Sequence, residues 1–153
     1  MHYADNAAFE EACKAFIERT CKKTAGNLYG LMKPRFVDCC WEERSLTMCF
    51  PAMEWELNAG GAMHGGITVS MIDSVMGSLT HILCGKLTPT IQLNTCFLRG
   101  GPASGDVVVK AKATRVGRTI IYLSAEVWIA DRPDKLIATS TASYRNYGEG
   151  ESE

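Results

Sequence analysis

The sequence predicts an α+β domain in which one antiparallel β-sheet wraps around a single long central α-helix, with an additional helix at the N-terminus. Three observations carry this. Residues from about Gly65 to Cys84 are apolar nearly all round the helical period, the pattern of a buried helix rather than a surface one. Four runs of alternating apolar and polar residues follow, with only short turns between them, so consecutive antiparallel hairpins are expected. One set of strand faces is rich in small residues (Ala111, Ala113, Ala125, Ala138, Ser140 and Ala142), and small side chains let a buried helix sit close against a sheet. The 153 residues suffice for one domain with its own core, and no repeat, linker or low-complexity stretch argues for a second.

The N-terminal segment, 1–26, carries an amphipathic helix from about Asp5 to Thr24. Asp5 or Asn6 can cap it, and Phe9, Ala12, Cys13, Phe16 and Ile17 follow the helical period. Gly26 is the expected C-terminal stop, and the helix is expected over a sheet edge or rim. Two short strands follow, about 35–41 and 45–50, joined by a turn at Glu42-Glu43-Arg44. Leu46, Met48 and Phe50 alternate with Thr47 and Cys49, as in a half-buried strand, and Pro51 ends it. Residues 52–63 are a loop whose Asn58, Gly60 and Gly61 suggest close backbone approach to something. Trp55 in that loop is expected to cover the core rather than to wall a substrate site.

The central helix is closed by Gly85. The later strands are expected at about 90–98, 106–116, 118–130 and 136–145, with turns at Gly117 and at Asp131-Arg132-Pro133-Asp134. Ile91, Leu93 and Phe97 should share one face of the first of these. The tail, 148–153, is polar and expected to be disordered.

Several functional classes are poor fits. Net charge is −1 with no basic stripe, which argues against nucleic acid. The longest apolar run is broken by Ser70, Asp73, Ser74 and His81, and no basic segment leads into an apolar one at the N-terminus, so neither a membrane span nor a secretory signal is expected. The seven cysteines include no Cys-x-x-Cys pair and no metal-ligand spacing; they read as mostly buried, reduced thiols of a cytoplasmic protein, with no metal site.

The central helix opens on His64-Gly65-Gly66 and carries one carboxylate, Asp73, among Met71, Ile72, Val75, Met76 and Leu79. An ionised carboxylate in such surroundings costs free energy unless it is paired, hydrogen-bonded or wet. Asp73 is therefore either a satisfied structural acid or a functional one.

The run Asn58-Ala59-Gly60-Gly61-Ala62-Met63-His64-Gly65-Gly66, with Asp73 at its offset, resembles the signature of hotdog-fold acyl-CoA thioesterases of the phenylacetate-degradation (PaaI-like) type. The similarity covers roughly 37–147, in the family's order of strands, helix and strands. The resemblance implies that Gly65 donates its backbone N–H to the thioester carbonyl and that Asp73 is general base or nucleophile. It further implies that Asn58 helps hold the site, that Thr90 positions the acid or the water, and that His64 shapes the loop. Arg115, Gly117, Arg118 and Thr119 would run beside the CoA pantetheine and nucleotide, and Arg99 would lie near its phosphates. CoA is then part of the substrate, and no separate cofactor is implied.

Spacing adds a constraint. Asp73 lies eight residues beyond Gly65, about 12 Å along a helix axis, too far for both to serve one thioester. Two antiparallel helices across a two-fold axis would pair Gly65 of one chain with Asp73 of the other and create two equivalent sites. A homodimer at least is expected, and by resemblance a homotetramer built as a dimer of dimers. Met71, Val75, Met76 and Leu79 could line an acyl pocket but are favoured as core. Two alternatives stand beside hydrolysis: a hotdog-fold enoyl-CoA hydratase or dehydratase, for which His64 and His81 are the candidates, and a non-catalytic acyl-CoA-binding module.

Overall fold

The computed structural model describes residues 3–147; the tail at 148–153, expected to be disordered, lies outside them. Helix α1 runs Asn6–Lys23. Asp5 caps it, its carboxylate accepting from the Ala8 N–H at 2.8 Å. Phe9, Cys13 and Ile17 form the buried stripe, and the helix packs on the first strand and on the central helix. The stop differs from expectation. Thr24, not Gly26, ends α1: both its N–H and its hydroxyl donate to the Thr20 carbonyl, at 2.9 and 2.8 Å. A four-residue helix α2, Leu28–Leu31, follows. It is too short to show a period, and Gly30 within it lies so close to the Thr24 carbonyl that a Cβ would meet that oxygen at 2.1 Å.

Strands β1 (Arg35–Cys40) and β2 (Ser45–Pro51) form a hairpin, with Arg44 at φ 52° in its turn. The central helix α3, Gly65–Cys84, matches the expected span, and Gly85 closes it in the left-handed region at φ 71°. Then come β3 (Thr90–Phe97), β4 (Asp106–Val116), β5 (Ile120–Ile129) and β6 (Arg132–Arg145). All pairings are antiparallel, in the order β1-β2-β4-β5-β6-β3. Consecutive strands pair except at β3, which the helical crossover carries to the far edge beside β6.

The start of β6 corrects the expected turn. The chain reverses at Ala130 and Asp131, and Arg132-Pro133-Asp134 are already strand. Pairing with β3 begins only at Ala138, so no N–H has to be donated toward β3 at Pro133, and the proline is tolerated. The register with β5 is irregular around Trp128.

The curved inner face of the sheet holds α3. Met71, Ile72, Val75, Met76 and Leu79 are wholly buried against Val107, Val109, Ala111, Ile121, Val127 and Ala138. Each large side chain so withdrawn from water contributes about 1.5–3 kcal/mol. The helix is long and apolar enough to span a bilayer by composition alone, but 56% of its most apolar window is buried within the fold. On the β3 side Ile91 and Phe97 are exposed while Leu93 packs against the core, because β3 is an edge that α3 only partly covers. Trp55 is likewise 48% exposed rather than a core cover.

Candidate functional site

The loop ahead of α3 is held by its own polar groups. Asn58 Oδ1 accepts from Gly60 N–H at 2.8 Å and from Ala62 N–H at 3.3 Å, closing a tight turn in which Gly61 takes φ 76°. His64 N–H donates to the Glu56 carbonyl at 2.8 Å. His64 is then the N-cap: its Nδ1 accepts from Gly66 N–H at 2.9 Å, and its carbonyl takes the N–H groups of Ile67 and Thr68. With Gly66 satisfied by the imidazole, the Gly65 N–H is left with no partner among the described residues. It lies at the positive end of a 20-residue helix.

Gly65 opens on a cleft of about 360 Å³ lined by Met63, Gly65, Thr68, Phe97 and Ile137, with Arg99 at its rim. The Phe97 ring stands against Gly65 so closely that a Cβ there would lie 3.2 Å from its Cζ. Across the cleft Gly101 lets Met63 approach, since a Cβ at Gly101 would sit 2.8 Å from that of Met63.

Asp73 lies farther along α3, half-buried. Thr90 Oγ1–H donates to its Oδ1 at 2.8 Å, and the Tyr144 phenol donates to the same oxygen at 2.6 Å. The phenol also reaches the Asp73 carbonyl at 3.3 Å. Oδ2 accepts nothing among the described residues. Burial, followed by the hydrogen bond to Asp73, pushes the Tyr144 phenol well above the usual tyrosine range, so it stays a neutral donor.

The remaining expected residues divide between two ends of the sheet. Arg99 follows β3 on the Gly65 side, where its guanidinium donates to the Leu136 carbonyl. Arg115, near the end of β4, and Gly117, Arg118 and Thr119, which make the β4–β5 turn, lie at the other end: Asn146 N–H donates to Thr119 O at 2.9 Å and its side chain to Gly117 O at 2.8 Å, just beyond the Thr90–Tyr144 pair. The length of β3 separates the ends by roughly 23 Å. Within one chain, then, Gly65 is gathered with Arg99, and Asp73 with Thr90 and the 115–119 segment.

The sequence did not single out Tyr144 or place Phe97 beside Gly65. Tyr144 continues the inward alternation of Ala138, Ser140 and Ala142, and the break from small residues to a phenol was the available signal. His81 packs its ring 4.7 Å from that of Phe16, and burial with Arg19 nearby lowers its proton affinity. Met71, Val75, Met76 and Leu79 are core. All seven cysteines are free thiols; Cys13 and Cys39 are buried, Cys96 is exposed, and the others are half-buried. Among the described residues no group of three or more His, Cys, Asp or Glu could hold a metal ion. A larger hollow, about 630 Å³, lies on the outer sheet face among Asn94, Lys110, Glu126 and Thr139, away from these groups.

Residues 60–135 match the model of the thioesterase superfamily. Human acyl-coenzyme A thioesterase 13 is 26% identical over 77 residues, 48% of this chain and 54% of its own length. The chain thus spans about half the length of that curated relative. Among solved structures, the phenylacetic acid degradation-related protein of Ralstonia eutropha JMP134 is 26% identical with a TM-score of 0.72, covering 85% of this chain and 98% of that one. The PaaI protein of E. coli shares the fold at 14% identity, with a TM-score of 0.78 over 92% of this chain and 96% of that one. With the family match falling on the helix cap, α3 and the strands that follow it, and with that architecture shared along nearly the whole of these neighbours, the chain belongs to the thioesterase superfamily and has its hotdog fold.

Proposed function

We propose that this protein hydrolyses the thioester of an acyl-CoA or aryl-CoA to the free acid and CoA, at sites shared between two copies of the chain. The observation that carries the reading is the division of chemistry along α3. An unpartnered N–H at Gly65 opens on a cleft, and a carboxylate with one oxygen held and one open stands eight residues on. The two are about 12 Å apart along the axis, beyond the reach of one reacting group. Antiparallel α3 helices related by a two-fold axis would set Gly65 of one chain beside Asp73 of its partner. The same operation would bring Arg99 of one chain toward the 115–119 segment of the other, so that both could follow one CoA. The outer edge of β3, with Ile91 and Phe97 exposed along it, supports this seam, because a long uncovered edge strand is otherwise a liability. Assembly of such dimers into a tetramer rests on the family resemblance alone.

In this mechanism the Gly65 N–H, backed by the helix dipole, stabilises negative charge developing on the carbonyl oxygen. Asp73 acts through Oδ2. It either takes a proton from a water that adds to the acyl carbon, or attacks that carbon itself and is released by water. The C–S bond breaks and the departing sulfur is protonated as CoA thiol. His64 gives no support to a hydratase reading: its Nδ1 is occupied by Gly66, and His81 is turned to Phe16. The test is free-thiol release from a panel of acyl-CoA and aryl-CoA substrates by wild type and Asp73→Asn. Turnover by wild type, abolished in the variant, is expected. Full turnover by Asp73→Asn on every substrate would remove Asp73 from the mechanism, and tight binding without any turnover by wild type would favour the binding-module alternative.

A further inference from the structure

We infer that Tyr144 is a positioning residue: its phenol and the Thr90 hydroxyl together occupy Asp73 Oδ1, so that only Oδ2 faces the substrate. The inference rests on the hydrolytic reading above.

The grip is built into the sheet. Thr90 and Tyr144 are directly opposed on β3 and β6, and on its other side Tyr144 is paired with Ile121 of β5. Two strands therefore fix the backbone that carries the phenol, and the side chain is 1% exposed. The inward face of β6 is otherwise small or aliphatic, and the ring fills that space against Gly77, one turn beyond Asp73, where a Cβ would already be in contact at 3.8 Å. From there the O–H lies 2.6 Å from Oδ1, and Thr90 supplies the second donor at 2.8 Å. A carboxylate oxygen has two lone-pair sites. Both on Oδ1 are used, which fixes the plane of the carboxylate and presents Oδ2 in one direction.

Among the described residues, β6 brings Tyr144 to this carboxylate and β3 brings the non-titrating Thr90. The other titratable groups on α3 are His81, turned to Phe16, and Cys84, near the helix end. Loss of the phenol O–H should thus be read by Asp73 alone.

The experiment is kcat, KM and the pH profile of kcat/KM for Tyr144→Phe, Thr90→Val, Thr90→Ser and Asp73→Asn on one good acyl-CoA. Tyr144→Phe is expected to lower kcat roughly ten- to hundredfold with little change in KM, as misplacement of a reacting group does. Its acid limb should move to higher pH, because a carboxylate that has lost a donor holds its proton more tightly. Thr90→Val should do the same and Thr90→Ser should restore activity. Should Tyr144→Phe fold poorly, 3-fluorotyrosine at position 144 keeps the shape and strengthens the donor, and the acid limb should then move to lower pH. An inactive Asp73→Asn beside a Tyr144→Phe or fluorotyrosine protein with wild-type kcat and pH profile would overturn the inference and leave hydrolysis standing. An active Asp73→Asn would instead overturn the reading on which it rests.

Discussion

Gly65 joins two requirements at one residue: its N–H must be free, and its Cα must accept the Phe97 ring. These can be separated by substitution. It is the first residue of α3, where proline is well tolerated because the lost N–H has no helical partner. His64 before it sits at φ −65°, ψ 132°, the conformation that a residue preceding proline prefers. Gly65→Pro should therefore keep the helix while removing the donor, and kcat should fall about 10²–10³-fold, the usual effect of losing one oxyanion donor. Gly65→Ala keeps the N–H and introduces only a Cβ 3.2 Å from a half-exposed ring that can shift, so its loss should be much smaller. Melting curves with kcat for both variants decide it; equal activities would mean that the N–H does not act on the carbonyl. Gly65, Asp73 and Thr90 could be proposed from the sequence because the motif that carries the family resemblance is local, spanning one helix and the start of the next strand. Tyr144 was not, since it reaches Asp73 only through a strand pairing 71 residues away in sequence.

Among the elements, α3 and the long strands declared themselves by period, and the irregular pieces did not. The β2–α3 connection shows why. It contains a single 3₁₀ turn, Glu54–Glu56, and two isolated bridges through Met63. Its Glu56 is 0% exposed, a burial that no local pattern announces for an acid. One carboxylate oxygen accepts from Met53 N–H at 3.0 Å; the other, Oε1, finds no partner among the described residues. Burial raises the proton affinity of Glu56 above the ordinary glutamate range, outweighing that hydrogen bond. Between the ordinary value and the raised one, the folded chain holds a proton that the unfolded chain has released. Stability must therefore fall as pH rises through that window, and remain lowered above it. Glu56→Gln keeps an acceptor for Met53 and removes the titration. Its melting temperature relative to wild type should accordingly be more favourable at pH 8 than at pH 4. A difference that is the same at both pH values would show that Glu56 is ionised without penalty.

For the molecule as a whole, the two ends of the sheet carry complementary halves of the proposed chemistry, and antiparallel association of two copies is the arrangement that would unite them. The expectation came from arithmetic on one helix; the strand order agrees with it, since Arg99 and the 115–119 segment fall at opposite ends as Gly65 and Asp73 do. The consequence can be tested without a structure of the assembly. Gly65→Pro and Asp73→Asn should each retain little activity alone, because each would spoil both sites of a homodimer. Dissociated, mixed in equal amounts and allowed to reassociate, they should form mixed dimers in about half of the population. In such a dimer one site collects both substitutions, while the other pairs the intact Gly65 of one chain with the intact Asp73 of its partner. Recovery should therefore approach roughly a quarter of wild-type turnover for random pairing, and it should appear only on mixing. If both groups acted within one chain, no combination of the two variants would contain an intact site, and the mixture would stay as inactive as its components.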